Sequence, residues 1–142
     1  MDCQPGWCLS DLLFTAAAAN DSAPEPEVAL ARALPEGRVD AGVPLGVYWE
    51  MHAAGRGPVS VSLTVMPLRV SVLRRVATAL RVARPVTPVR LQWQSVPRRQ
   101  REGYPVTVRL PDDLRGRFRV RLTVERPGMT VLSAEREVIV SP

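Results

Sequence analysis

The sequence predicts a mainly β protein, an antiparallel β-sandwich of about seven strands. The first reason is a strict alternation of apolar and polar residues, clearest in residues 59–65 and 118–124. Because successive side chains of a strand point to opposite faces, this pattern describes sheets with one dry face and one wet face. The second reason is that Pro and Gly interrupt several such segments at short spacing, which is typical of a sandwich.

The chain is long enough to form one domain with a core of its own. Its 142 residues can bury roughly two thirds of the surface that the unfolded chain exposes, so stability requires neither a metal nor a disulfide. No apolar run approaches the roughly 18 residues of a membrane-spanning helix, and we expect no transmembrane segment. We divide the chain into an N-terminal segment, residues 1–37, and a β-sandwich domain, residues 38–142.

The N-terminal segment is expected to be loosely structured, with a linker and a short helix. Residues 10–14 are compatible with a short edge strand or, equally, with the start of a serine-capped helix. Residues 20–26 have the composition of a linker. Residues 27–34 suit about two turns of helix, with Pro26 before them and Pro35 after them.

Cys3 and Cys8 are the only cysteines of the chain. Their C-x4-C spacing matches neither a redox C-x-x-C motif nor a zinc knuckle. A local disulfide is sterically possible, but we expect two free thiols that lie before the first strand.

The alternation continues through the sandwich domain and defines six strands: residues 44–52, 59–65, 89–93, 104–110, 117–125 and 131–140. Residues 71–83 break it, because Val72, Leu73, Val76 and Leu80 recur at helical spacing. We expect one amphipathic helix inserted here between strands, where it would cover a sheet edge or a barrel end.

The same alternation predicts which aromatic side chains form the core. Trp49, Trp93 and Phe118 share the parity of the apolar positions and should fill the gap between two sheets. Tyr48 has the opposite parity, and we expect it to be exposed.

The last two strands form a hairpin whose register can be predicted. A symmetric two-residue turn would place Glu135 and Glu137 on the dry face, each at a cost of several kcal/mol. A shift by one residue pairs both carboxylates with arginines, which adds only a few tenths of a kcal/mol per pair. The avoided burial of charge therefore decides the register, and we predict an odd-length loop or a bulge near Gly128. The predicted pairs are Phe118 with Val138, Arg119 with Glu137, Val120 with Arg136, and Arg121 with Glu135.

The net charge is +5, and all nineteen basic residues are Arg. Residues 1–42 carry two Arg against seven acids, a net of −5, whereas residues 43–142 carry seventeen Arg against seven acids, a net of +10. The absence of Lys indicates codon bias more than a phosphate-binding surface, since nucleic-acid binders commonly use both residues. We therefore expect a protein rather than a nucleic acid as the partner. The candidate residues for an anionic partner are Arg74, Arg75, Arg98, Arg99 and Arg101.

No catalytic constellation is evident in the sequence. Nucleophilic catalysis needs a base within reach of Ser or Cys, and the one histidine, His52, lies on the polar side of a strand near Glu50. Asp112 and Asp113 suit a turn better than a calcium loop. We predict no catalytic residue, no cofactor and no metal ligand.

Two parts of the chain resemble bacterial β-sandwich domains. Residues 110–122, Leu-Pro-Asp-Asp-Leu-Arg-Gly-Arg-Phe-Arg-Val-Arg-Leu, resemble the corner and penultimate strand of immunoglobulin-like or fibronectin-III-like domains. Phe118 stands where that pattern usually has Tyr, so the tyrosine-corner hydrogen bond would be missing. Residues 10–14, 46–50 and the final hairpin are similar to the C-terminal domain of bacterial proteins related to the GWxTD-motif group. The motif itself is absent, because Cys-Leu-Ser-Asp follows Gly6-Trp7.

The resemblance implies an immunoglobulin-like fold and an extracytoplasmic accessory or binding domain, and it supplies no catalytic residues. The preferred hypothesis is a non-enzymatic interaction or structural module of a bacterial envelope or secreted protein, with a protein as its partner. It would be extracytoplasmic if an export signal lies upstream and cytoplasmic otherwise. The alternative is a free-standing cytoplasmic regulator that binds an anionic partner through its Arg-rich surface.

Overall fold

The computed structural model describes residues 1–17, 25–53, 55, 57–68, 76, 79–80 and 88–142. These residues are mainly β, and they form ten strands in two sheets around one core. Apart from helical backbone at Val76 and Ala79, the helical elements of the described residues are α1 (Pro26–Ala31) and one 3-10 turn (Pro35–Gly37). The strands are β1 (Asp2–Gln4), β2 (Trp7–Leu9), β3 (Leu13–Ala16), β4 (Arg38–Asp40), β5 (Leu45–Ala53), β6 (Val59–Pro67), β7 (Val89–Ser95), β8 (Arg101–Val108), β9 (Gly116–Glu125) and β10 (Leu132–Ser141).

The first sheet is built around β5. Strand β8 pairs with one edge of β5, and β2 and β3 pair with the two ends of its other edge; β1 pairs with β2. The six strands predicted in the sandwich domain are all present. Strand β8 starts at Arg101, three residues before the predicted start at residue 104. The additional residues are part of the strand because β8 pairs with β5 as far as His52.

The break between β2 and β3 is a bulge on the edge of β5. Leu9 lies opposite Met51 and Leu13 lies opposite Tyr48, so the edge strand has one residue more than β5 over this interval. The Ser10 N–H donates to the Glu50 carbonyl at 2.9 Å, and the Glu50 N–H donates to Ser10 Oγ at 2.8 Å. The serine hydroxyl therefore satisfies the backbone group that the bulge leaves without a ladder partner.

The expectation of a loosely structured N-terminal segment is wrong for residues 1–17, which supply three strands of the first sheet. Trp7 and Leu9 of β2 are buried in the core. The helix predicted at residues 27–34 is present as α1, one residue earlier and shorter than predicted.

The expectation of free thiols is also wrong: Cys3 and Cys8 lie directly opposite each other in β1 and β2 and form a disulfide. The two-residue turn between these strands places the two cysteines in register. Gly6 has φ +88° in this turn, a conformation that glycine adopts without the steric cost other residues incur.

The second sheet has the strand order β4-β10-β9-β6-β7. Its pairs are antiparallel except for β4, which runs parallel to the end of β10. The prediction of antiparallel pairing therefore holds in this sheet for all but this short edge strand.

The predicted register of the final hairpin is confirmed. Leu132 pairs with Val124, so the loop is centred on Gly128, which has φ +77°. The observed pairs include Phe118 with Val138, Arg119 with Glu137, Val120 with Arg136, and Arg121 with Glu135. As argued from the sequence, this register keeps both carboxylates off the apolar face of the sheet.

The core between the sheets contains the predicted aromatic residues. Trp49 and Phe118 are 1% and 3% exposed, and Trp93 is partly buried against the same core. The expectation that Tyr48 is exposed is wrong, since it is 5% exposed. Its ring lies over Gly103 of β8, where the hydroxyl is 2.2 Å from the position that a Cβ would occupy. The missing side chain of Gly103 makes this packing possible.

The helix predicted at residues 71–83 falls almost wholly outside the described residues. Val76 and Ala79 have helical backbone, and the Leu80 N–H donates to the Val76 carbonyl at 2.9 Å. Within the described part of the chain, no helix has the length and apolar character needed to cross a membrane.

Candidate functional site

A polar cluster lies on the outer face of the first sheet, centred on Glu50. Tyr48, Glu50 and His52 are alternate residues of β5, so their side chains share this face. Glu50 is 13% exposed, and its Oε1 accepts a hydrogen bond from the Tyr48 hydroxyl at 3.2 Å. Its Oε2 accepts from Arg101 Nε at 3.0 Å and Nη2 at 2.8 Å, and lies 3.9 Å from His52 Nε2. A largely buried carboxylate thus has a charged partner and a neutral donor.

The environment of Tyr48 keeps its phenol protonated. Burial raises the pKa of Tyr48 to about 12, and the negative charge and hydrogen bond of Glu50 add to this effect. Arg101 opposes it more weakly. Tyr48 therefore acts as a hydrogen-bond donor to Glu50 at any physiological pH.

A second tyrosine–glutamate pair fixes the beginning of β8. The Tyr104 ring stacks on Trp49, with ring centroids 5.8 Å apart, and its hydroxyl donates to Glu102 Oε2 at 3.1 Å. The same oxygen accepts the backbone N–H of Arg98 at 2.8 Å. Burial, together with the hydrogen bond to Glu102, raises the pKa of Tyr104 to about 12.

These groups border a cleft of about 630 Å³, which we call the β8 cleft. One wall is the beginning of α1, with Glu25 and Glu27, and another is the loop before β8, with Arg98 and Arg99. The complete lining is Glu25, Pro26, Glu27, Glu50, Arg98, Arg99, Arg101, Glu102 and Gly103. Since Arg101 is paired with Glu50, the cleft offers an acidic wall and a basic wall to a ligand.

The backbone of β8 is open on the side away from β5. The Ala53 N–H donates to the Gln100 carbonyl at 3.0 Å, and hydrogen-bonded pairs alternate along an antiparallel ladder. Pro105, which has no N–H, falls in the non-bonded set, as a proline in a ladder must. The backbone groups of Arg101 and Gly103 therefore point away from β5, and no strand among the described residues pairs with them.

The structure brings together three of the five arginines selected from the sequence. Arg98, Arg99 and Arg101 line the β8 cleft, whereas Arg74 and Arg75 lie outside the described residues. Three other lining residues, Glu25, Glu27 and Gly103, were not among the residues predicted from the sequence. No local pattern marks the two glutamates, because they reach the cleft only when the fold brings the start of α1 next to β8, which lies more than seventy residues later in the chain.

Elsewhere, arginine charge is neutralised on the outer face of the second sheet. Arg117 Nη2 lies 2.7 Å from Glu137 Oε2, and Arg119 Nε lies 3.5 Å from Glu135 Oε2. Arg121 also pairs with Glu135. In the hairpin register Arg121 lies directly opposite Glu135, whereas the other two ion pairs join diagonal neighbours, two residues away from the opposite position.

The chemistry that the β8 cleft offers is recognition through hydrogen bonds and charges. Its donors and acceptors are guanidinium groups, carboxylates and the open backbone of β8. Across the described ranges, no three His, Cys, Asp or Glu side chains are grouped as a metal site. Asp112 and Asp113 lie in a turn closed by the Leu114 N–H, which donates to the Pro111 carbonyl at 3.0 Å.

The sequence matches no family model, and it matches no curated protein. Among solved structures, the fold is similar to that of Spo0M, a sporulation control protein from Bacillus subtilis. The TM-score is 0.52 at 9% sequence identity, and the match covers 96% of this chain and 50% of that one. This chain thus spans half the length of Spo0M, and at such low identity the likeness shows the fold alone.

Proposed function

We propose that this protein is a non-enzymatic, immunoglobulin-like β-sandwich module that binds a partner protein in the β8 cleft. The observation that carries the proposal is the open backbone of Arg101 and Gly103 beside a cleft with two oppositely charged walls. An extended peptide can add a strand to such an edge, with main-chain hydrogen bonds for affinity and side-chain contacts for specificity. Arg98 and Arg99 would select acidic residues of the peptide, and Glu25 and Glu27 would select basic ones.

Pro105 limits this docking to one end of β8. It removes one outward N–H from the edge, which is a common protection against uncontrolled strand pairing. The accessible stretch is then short, and the charged walls have to supply much of the discrimination between peptides.

We also propose that the module works outside the cytoplasm, as part of an envelope or secreted protein. The Cys3–Cys8 disulfide supports this location, because disulfides persist mainly in oxidising compartments. The resemblance of residues 110–122 to bacterial immunoglobulin-like domains points the same way. An in-frame export signal in the genomic sequence upstream would support the location, and its absence would count against it.

Peptide binding can be tested by selecting a displayed library of random peptides against the purified protein. We expect the enriched peptides to carry charges of both signs and to lose binding to an Arg98→Glu/Arg99→Glu variant. Arg109→Glu is the matched control, because Arg109 is also an exposed arginine near an end of β8 but does not line the cleft. Failure to enrich any peptide, or equal binding by both variants, would count against the proposal.

The alternative is an anionic partner bound through the arginines. It is favoured by Arg98 and Arg99, which are exposed neighbours in the cleft. It is opposed by the four glutamates that line the same cleft and by the ion pairs of the second sheet. Heparin binding at low salt that is lost in Arg98→Glu/Arg99→Glu would favour it, since such binding is strongest at low salt.

A further inference from the structure

The disulfide lies at the edge of the polar face that carries His52 and Arg101. Cys3 pairs with Cys8, Cys8 pairs with His52, and His52 pairs with Arg101, so the four residues form one row across the first sheet. Directly opposite residues have Cβ atoms about 4.5–5.5 Å apart. Cys3, on the outermost strand, is exposed, and Cys8 is half-buried.

The hairpin that the disulfide closes connects the two sheets. Strand β2 pairs with β5 in the first sheet, while Asp2 Oδ2 in β1 accepts the backbone N–H of Ser133 in β10 at 2.9 Å. Strand β4 covers only residues 139–141 of β10, so β1 lies beside the part of that edge which β4 leaves open. Within its sheet, β1 is held by three residue pairs to β2.

We propose that Cys3–Cys8 is a site of thiol–disulfide exchange with a protein dithiol, and that its reduction releases β1 from the edge of β10. The inference does not depend on peptide binding in the β8 cleft. Its grounds are the exposure of Cys3, the position of His52 beside Cys8, and the hydrogen bond by which the Asp2 carboxylate of β1 holds the Ser133 N–H of β10.

The exchange proceeds in two displacements. A thiolate of the dithiol attacks Cys3 Sγ, the more accessible sulfur; the Cys3–Cys8 bond breaks, and its electron pair leaves on Cys8 Sγ. In the mixed disulfide, the first sulfur of the dithiol is bonded to Cys3 Sγ. The second thiolate of the dithiol then attacks that first sulfur, which forms the dithiol's disulfide and releases the Cys3 thiolate. Both cysteines take protons from water, and two electrons have passed from the dithiol to this protein.

The side chains on the polar face determine which sulfur of the disulfide is attacked and which one leaves as the thiolate. A thiolate leaves more easily when a neighbouring donor or cation stabilises it, and His52 lies directly opposite Cys8. Arg101 adds positive charge one strand further away, although much of that charge is neutralised by Glu50. After reduction, β2 is still held by β5 and by the burial of Trp7 and Leu9, so the change is confined to β1.

The test uses the whole protein and follows amide hydrogen exchange with and without dithiothreitol. We expect the Ser133 amide to be protected in the oxidised protein and to exchange faster after reduction, with the core amides of β9 unchanged. A Cys3→Ser/Cys8→Ser variant should show the fast Ser133 exchange without reductant and no response to it. Equal Ser133 exchange in the oxidised and reduced proteins, or resistance of the disulfide to dithiothreitol in the folded state, would overturn the proposal.

A second measurement tests the assignment of the sulfurs. Brief treatment with glutathione, followed by alkylation and peptide mapping, should place glutathione mainly on Cys3, and glutathione found mainly on Cys8 contradicts the mechanism. His52→Ala should slow the reduction by roughly threefold, because the leaving thiolate loses its neighbour. Arg38→Ala, an exposed arginine on the second sheet, is the control and should leave the rate unchanged. An unchanged rate in His52→Ala overturns the role of His52.

Discussion

At the residue scale, the burial of Glu50 separates its ion pair from the other pairs of the protein. The Arg117–Glu137 side chains are 67% and 44% exposed, and exposed pairs of this kind contribute about 0–1 kcal/mol. Glu50 is 13% exposed and has lost most of its hydration, so its charge depends on Arg101 and Tyr48. Removing either partner therefore matters more here than anywhere on the second sheet.

The same burial makes a prediction about alkaline pH. Tyr48 and Tyr104 are the only tyrosines, and both have a pKa of about 12 in the folded protein against an ordinary value of 10.0. The unfolded chain loses these protons first, so their contribution to stability is complete below pH 10.0 and is lost as the pH rises towards about 12. An ultraviolet titration of the phenolates should show both tyrosines ionising near the higher value.

Tyr48→Phe is the control for this titration. It should remove one of the two transitions and reduce the loss of stability at alkaline pH. Ionisation of either tyrosine near pH 10.0 in the folded wild-type protein would show that its phenol is not buried as described.

At the element scale, β5 organises the first sheet because three of the other four strands, β2, β3 and β8, pair with it directly. Strand β8 follows nearly its whole length, and the opposite edge is divided between β2 and β3 by the bulge at Ser10. A bulge leaves a backbone group without a ladder partner, and here a side chain replaces that partner. The N-terminal strands are therefore held on β5 in part by one serine hydroxyl.

Ser10→Ala should lower the free energy of unfolding by about 1–3 kcal/mol, because the Glu50 N–H loses its acceptor in a partly buried position. Urea denaturation checks this value. Ser60→Ala, an exposed serine on the outer face of the second sheet, should change stability by no more than about 0.5 kcal/mol. Equal effects of the two substitutions would mean that the hydroxyl of Ser10 is not needed at the bulge.

At the scale of the whole molecule, the two sheets are joined by an uneven core. Its centre is closed by Trp49, at 1% exposure, and by the aliphatic residues of both sheets. Toward β7 and β8 the core is less complete: Trp93 is partly buried, with its ring centroid 6.0 Å from that of Trp49. The open edge of β8 and its cleft lie on this less tightly closed side of the sandwich.

This gradient predicts different costs for two similar substitutions. Trp49→Ala should destabilise the protein by about 3–5 kcal/mol, because it leaves a cavity in the closed centre of the core. Trp93→Ala should cost clearly less, since solvent already reaches part of that ring. Urea midpoints of both variants measure the difference, and a cost for Trp93→Ala equal to that for Trp49→Ala would contradict the gradient.

What the sequence determined by itself is six of the seven strands described in residues 38–142, the edge strand β4 being the one not predicted, together with the inward position of Trp49 and Phe118 and the register of the final hairpin. Each depends on residues close in the chain: alternation is a local pattern, and the cost of burying Glu135 or Glu137 is decided within one hairpin. The arginines of the β8 cleft also belong to one short segment, and the sequence indicated them as a cluster.

Only the tertiary structure decided what surrounds those elements. The Cys3–Cys8 pairing, the bulge at Ser10, the burial of Tyr48 over Gly103 and the acidic wall of the β8 cleft all depend on which distant segments meet at β5. These long-range contacts depend on how the apolar faces of all the strands are buried together, and no short stretch of sequence specifies that arrangement.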